Sequence, residues 1–179
     1  MNARRVLVES PHRPGVAAGA LRPATSGDAR AIHDLIARYQ ATARMLPRQL
    51  DEIAGHASRF LVVADGATVL GCAELAPLSA AVAEVRSLVV DESARGLGFG
   101  RLLVDTLAAE ARIAGFRSLC AFTHDAAFFV RLGYSLVPHA WLSDKVALDC
   151  AGCAVFRACG QSAVRLQLDE VATGPHGCE

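Results

Sequence analysis

The chain has 179 residues, 53% of them hydrophobic, and eighteen basic side chains balance eighteen acidic ones for a formal net charge of zero. That length and a positive mean hydropathy suit one domain with its own core and exclude a disordered chain. The absence of a Lys/Arg run or basic-aromatic stripe removes the electrostatic footprint of a nucleic-acid binder, and no uncharged apolar stretch reaches the roughly 18 residues that span a membrane, so a cytoplasmic location is the default expectation.

Residues 1–19 carry Pro11, Pro14, Gly15 and Gly19 with little periodicity, which predicts a loosely ordered lead-in. The domain is expected over residues 20–168, followed by a tail over 169–179. Leu21 to Ala24 reads as a first strand. Thr25-Ser26-Gly27-Asp28 supplies capping side chains for a helix that places Ile32, Leu35, Ile36 and Tyr39 on one face. A second helix is predicted from Pro47 toward Gly55, because proline is tolerated at the first helical position. Phe60 to Ala64, the Asp65-Gly66 turn and Val69 to Leu75 read as a hairpin, and Ala81 to Val90 as the next strand. Arg101 to Ala114 has helical spacing, with Leu103, Leu107 and Ala111 in one row, and Gly115 ends it. Leu119 to Thr123 is a short buried strand, Asp125 to Leu132 a short helix, and Tyr134 to Val137 and Val164 to Leu168 are the last strands. This order gives an α/β layered domain with a mixed sheet.

Between the strand ending at Val90 and the long helix lies Arg95-Gly96-Leu97-Gly98-Phe99-Gly100, followed by Arg101. A strand, a glycine turn and an immediate helix start leave several N–H groups unpaired, and the helix dipole adds partial positive charge at the same spot. Glycine lets successive amides converge without a Cβ in the way, so a pyrophosphate is the expected ligand. A P-loop needs Lys and then Ser or Thr after its last glycine. A dinucleotide fingerprint needs a third glycine where Arg101 stands. Neither fits.

The pattern Arg/Gln-x-x-Gly-x-Gly/Ala does fit, with Arg95, Gly98 and Gly100 at its fixed positions, and Phe128-Phe129-Val130-Arg131-Leu132-Gly133-Tyr134 closes the short helix. Together with the element order, these motifs resemble the GNAT superfamily of N-acetyltransferases from Leu21 to Leu168. The resemblance implies the GNAT fold, a mixed central sheet whose two parallel strands splay apart, with helices on both faces. It implies acetyl-CoA as cosubstrate, its pyrophosphate on Arg95, Gly96, Leu97, Gly98, Phe99, Gly100 and Arg101 and its thioester beside Leu88, Val89 and Val90.

Acyl transfer needs an amine in its free-base form and a donor for the carbonyl oxygen as charge develops there. Backbone amides near Leu88 to Val90 are the expected donors. Glu84 lies eleven residues before Arg95, where several superfamily members place a general base; the alternative is a strand-end carboxylate facing solvent. Many relatives have a tyrosine at the second aromatic position of the short helix, but this chain has Phe129, which cannot donate. Thr123 or a water is left to serve the departing thiolate. Thr123 reads equally as a cap for the helix opening at Asp125.

Met45-Leu46-Pro47-Arg48, Glu84-Val85-Arg86-Ser87-Leu88-Val89-Val90, Ala121-Phe122-Thr123-His124 and the segment from Trp141 to Gln161 look like the acetyltransferase domain of N-acetylglutamate synthases. That resemblance implies L-glutamate as acceptor and direct attack in a ternary complex, the entry step of arginine biosynthesis. Arg48, Arg86 and Lys145, the last on a late loop, are the cations expected to orient its carboxylates. Synthases of this kind often carry an N-terminal kinase-like domain, and roughly 20 residues are too few for one; feedback through it is expected to be absent. Two other readings stay open, an acetyltransferase for another small amine such as a toxic glutamate analogue, and a non-catalytic acetyl-CoA-binding regulatory module. The expected partner is a small-molecule amino acid, with a homodimer left open and neither nucleic acid nor membrane involved.

Of six cysteines, Cys72 and Cys120 fall inside apparent strands, while Cys150, Cys153 and Cys159 form a C-x2-C-x5-C cluster. The cluster suits a structural zinc, with His139, His176 or Cys178 as a fourth ligand, or free thiols.

Overall fold

A computed structural model of the chain describes residues 19–42, 45–153 and 158–168. Seven strands form one sheet in the order β1-β2-β3-β4-β5-β7-β6. They are β1 (Ala20–Pro23), β2 (Phe60–Asp65), β3 (Thr68–Pro77), β4 (Val82–Val90), β5 (Ser118–Thr123), β6 (Ser135–Val137) and β7 (Ser162–Gln167). Only β4 and β5 run parallel; the other neighbours are antiparallel.

Side-chain alternation along β2 decides how the helices attach. Leu61 and Val63 join a core with α3 (Phe99–Ile113), through Leu103, Leu107 and Ala111, on one face of the sheet. Phe60 and Val62 point the other way and pack with Ile32 and Ile36 of α1 (Ala29–Tyr39) and Ile53 of α2 (Leu50–Gly55). The strand is therefore apolar from Phe60 to Ala64, as a strand covered on both faces must be, and turns polar only at the exposed Asp65 that ends it. The expected mixed α/β sheet with helices on both faces is the fold observed.

α1 begins where its sequence says it should. Asp28 accepts from the Thr25 amide at 2.8 Å and takes both terminal nitrogens of Arg22, at 2.8 and 2.7 Å. The Arg22 hydrogen bonds outweigh burial, and with the Thr25 amide they hold the Asp28 carboxyl well below the usual carboxylate range. A depressed folded pKa means that the stabilisation is fully present above about pH 4 and is lost as pH falls from there through the folded value. Asp28→Ala is expected to cost roughly 1–2 kcal/mol near neutrality, with the gap to wild type closing in acid. Urea denaturation at a series of pH values checks this.

The short helix is α4 (Ala126–Val130), with Asp125 accepting from the Phe128 amide at 3.0 Å. Most element ends shift by one or two residues from the sequence reading, α3 opening at Phe99 rather than Arg101 and β7 at Ser162 rather than Val164, and two differences are larger. α2 starts at Leu50 rather than Pro47, the residues between being extended or irregular. The expected late loop is instead helical, with a 3-10 turn at His139–Trp141, one α-helical turn at Ser143–Lys145 and a π-helical turn at Val146–Cys150. The lead-in over residues 1–18, the tail over 169–179, and with it His176 and Cys178, lie outside the described residues. No helix among the described residues is long and apolar enough to cross a membrane.

Candidate active site

The parallel ladder between β4 and β5 is short. Val82, Ala83 and Glu84 pair with Ser118, Leu119 and Cys120, and no pairing follows. Beyond Glu84, β4 stays with β3, while Ala121, Phe122 and Thr123 of β5 pair with β7. The sheet opens into a wedge whose apex is Glu84.

On the β4 side of that wedge, Cys72 faces Val89 and Glu74 faces Arg86, so Ser87 and Leu88 together oppose the single residue Ala73. This is a β-bulge, and Ser87 sits in it at φ 54, a left-handed conformation rare for a residue with a side chain. The Ser87 hydroxyl accepts Arg48 Nη1 at 2.8 Å, and its carbonyl accepts the Cys72 thiol at 3.5 Å. Leu88, Val89 and Val90, the residues expected to face a thioester, thus lie on the bulged half of β4 that has parted from β5, with Val89 and Val90 still paired to β3.

After β4 the chain turns at Asp91, whose carboxylate accepts from Arg38, Tyr39 and Ser93, while the Tyr39 hydroxyl takes the Glu92 amide at 2.8 Å. The end of α1 braces the base of the loop. Arg95 stacks its guanidinium 4.8 Å from the centre of the Tyr39 ring and donates from Nε to the Val90 carbonyl at 3.3 Å. Gly96 and Gly98 then adopt φ 78 and φ 83, values that favour glycine, and Gly98 is the N-cap of α3. The first α-helical bond here runs from the Leu102 amide to the Gly98 carbonyl at 2.9 Å. The amides of Phe99, Gly100 and Arg101, in the first turn of α3, donate to no acceptor among the described residues. They border an open cleft of about 450 Å³, lined also by Val90, Phe128 and the cations Arg95, Arg101 and Arg131. Free amides at a helix start, glycines and three guanidinium groups suit a polyanion.

At the apex the charged residues join in one network. Glu84 is 3% exposed, and its Oε2 accepts Arg86 Nε at 2.9 Å, Arg86 Nη2 at 2.7 Å and Lys145 Nζ at 2.8 Å. Oε1 accepts from none of the described residues, so it is the oxygen left for a proton. Both cations reach a second carboxylate. Asp149 Oδ2 accepts Arg86 Nη2 at 2.6 Å and Lys145 Nζ at 2.8 Å. Burial raises the Asp149 carboxyl pKa, but the Lys145 hydrogen bond and both cations together hold it below its ordinary value. Burial opposes the charge on Arg86, and the Glu84 carboxylate overcomes it, so Arg86 is held above its ordinary value.

Arg48, the third cation expected for an acceptor, lies in the same region but is engaged. Its Nη2 meets Glu74 at 2.9 Å and Glu52 at 2.9 Å, and its side chain is 9% exposed. Glu74 itself is 1% exposed and sits opposite Arg86 across β3 and β4.

Thr123 accepts the Asp125 amide at 3.0 Å, with its hydroxyl proton uncommitted among the described residues, but the cap of α4 is Asp125 itself and not Thr123. Tyr134 is buried against Phe129 with ring centres 5.1 Å apart, and its hydroxyl meets no described partner. Burial pushes its pKa well above the ordinary value. It is a core residue.

The zinc expectation fails among the described residues, where no group of three or more His, Cys, Asp or Glu is placed to hold a metal ion. His139 is turned to other work, with Nε2 2.9 Å from the Gln161 carbonyl and its ring stacked on Phe122. Cys159 bonds the Gln161 side chain at 3.8 Å, and Cys150, Cys153 and Cys159 are free thiols. Cys72 and Cys120 are fully buried, and burial pushes both thiols up to about 12.

A mixed sheet parted between two parallel strands, with an open amide cradle at the start of the following helix, defines a coenzyme-binding acyltransferase scaffold. Residues 28–134 match the acetyltransferase (GNAT) family, and the chain belongs to it. It is an acetyltransferase of that family. An uncharacterized N-acetyltransferase of Chlorobaculum tepidum is 33% identical over 144 residues, which cover 80% of this chain and 93% of that protein. The amino-acid acetyltransferase of Ralstonia nicotianae is 29% identical over 126 residues, covering 69% of this chain and 27% of that longer protein. Among solved structures, N-acetylglutamate synthase from Neisseria gonorrhoeae, complexed with coenzyme A and N-acetyl-glutamate, superposes with a TM-score of 0.75 at 23% identity. That match covers 84% of this chain and 35% of the synthase.

Sequence reasoning missed Asp149, Glu74, Ser87 and the brace at Tyr39 and Asp91. A signal existed for two of them. Asp149 is four residues after Lys145, the spacing of a helical ion pair, and Glu74 is a lone charge in an apolar strand.

Proposed function

We propose that this chain moves the acetyl group of acetyl-CoA to the α-amine of L-glutamate by direct attack in a ternary complex. The observation that carries the reading is the meeting of Arg86 and Lys145 on a single carboxylate oxygen, that of Asp149, beside Glu84 at the apex of the wedge. Two cations that close on one carboxylate can orient another of the same shape. The amino-acid acetyltransferase of Ralstonia nicotianae supports an amino acid as the acceptor, and the synthase complexed with N-acetyl-glutamate supports an acidic one.

In this reading the amides from Gly96 to Arg101, with Arg95, hold the diphosphate. The backbone at Leu88 to Val90 faces the thioester carbonyl. Glu84 Oε1 takes the amine proton, directly or through a water, while Oε2 stays with its cations. The Thr123 hydroxyl or a water serves the departing thiolate. Arg48 shapes the acceptor side through Ser87 and Glu74. A second reading, transfer to another small amine, is favoured by one observation, that Glu84 and Asp149 already neutralise Arg86 and Lys145.

A thiol-release assay with acetyl-CoA and each of the twenty amino acids separates the two. Glutamate is expected among the best acceptors. Its absence from that group overturns the synthase reading and leaves the family assignment standing.

A further inference from the structure

The two carboxylates that share Arg86 and Lys145 differ in how they are held. Glu84 belongs to β4, is 3% exposed and is fixed by the ladder to Cys120. The Asp149 side chain is 37% exposed, sits on the π-helical turn Val146–Cys150, and has Arg86 and Lys145 as its ion-pair partners among the described residues. One carboxylate is part of the sheet; the other can withdraw. With both present the two cations are balanced, and a ligand carboxylate arriving beside them would leave an excess negative charge in a half-buried site. That is unfavourable unless one protein carboxylate leaves.

We propose that Asp149 occupies the subsite for the acceptor's side-chain carboxylate as a tethered stand-in, and that acceptor binding displaces it. This rests on the acceptor reading above. A carboxylate tethered on the same chain competes at an effective concentration in about the millimolar range, so it sets acceptor affinity without touching the coenzyme. It also keeps the two cations from being taken by unrelated anions between turnovers. The outward move belongs to the turn at Val146–Cys150, which carries Asp149 while Lys145 precedes it.

Calorimetric titration of glutarate, a dicarboxylate with no amine to acetylate, into protein saturated with coenzyme A tests the displacement without turnover. Asp149→Asn is expected to bind glutarate about tenfold more tightly than wild type, Asp149→Glu to return toward wild type, and Arg86→Ala to lose binding. A merely structural Asp149 would make the Asn variant bind more weakly. Equal or weaker binding by Asp149→Asn, with binding still lost in Arg86→Ala, overturns the displacement and leaves the glutamate reading in place. Glutarate binding that is indifferent to Arg86→Ala, or undetectable in every protein, overturns both. Thermal melting of each variant confirms the fold, and Asp149→Glu serves as the second variant if the Asn change unfolds the turn.

Discussion

Glu84→Gln is expected to lower turnover by about 10²–10³-fold while coenzyme A affinity stays within about a factor of two. The amide keeps the shape of the carboxylate and an oxygen that can still accept from Arg86 and Lys145, so the local geometry survives. What it loses is the basic oxygen that the proposed function assigns to the amine proton. It also leaves Arg86 and Lys145 less neutralised, which favours an anionic acceptor. The acceptor KM therefore holds or falls while kcat drops, a split that a general loss of structure would not produce. Steady-state kinetics with the best acceptor, with calorimetry for the coenzyme, measures both. Turnover retained within tenfold would make Glu84 a counter-ion for the two cations and remove the base.

The parts of this fold that follow local rules are legible in the chain. α1 announces itself through Thr25, Asp28 and the row Ile32, Leu35, Ile36 and Tyr39, all four of which are buried. The hairpin of β2 and β3 follows from two apolar runs around Asp65-Gly66, and the cradle follows from glycines placed between strand and helix. Each depends on neighbours within a few residues. The network at Glu84 depends on pairs far apart in sequence, Lys145 with Glu84 and Arg86 with Asp149, so no window contains it. The late helical segment hid for a different reason. It is built of single turns that change type from 3-10 to α to π, and no period lasts long enough to register. The bulge at Ser87 is invisible because serine carries none of the backbone freedom that marks a glycine turn. Arg48 and a register shift, not local preference, hold it there.

Arg48→Ala has the largest expected effect on stability, a loss of about 3–5 kcal/mol. Arg48 is the ion-pair partner of Glu74, a carboxylate 1% exposed in the middle of β3, and its removal leaves that charge buried and unpaired. It also removes the Nη1 bond to Ser87, so the left-handed residue of the bulge loses its side-chain support. Pairing the change with Glu74→Gln is expected to recover a large part of the loss, because burying a hydrogen-bonding amide costs far less than burying a lone carboxylate. Arg48→Lys keeps the charge but cannot fork between Glu52, Glu74 and Ser87, and falls between wild type and Ala. Urea denaturation of the four proteins, read beside acceptor KM, separates a structural arginine from a substrate-binding one. A raised KM in Arg48→Ala with an unchanged denaturation midpoint would mean that the guanidinium turns from Glu74 to the acceptor. A lowered midpoint rescued by Glu74→Gln means that the arginine is structural, its buried pair holding β3 against the strand that carries Arg86.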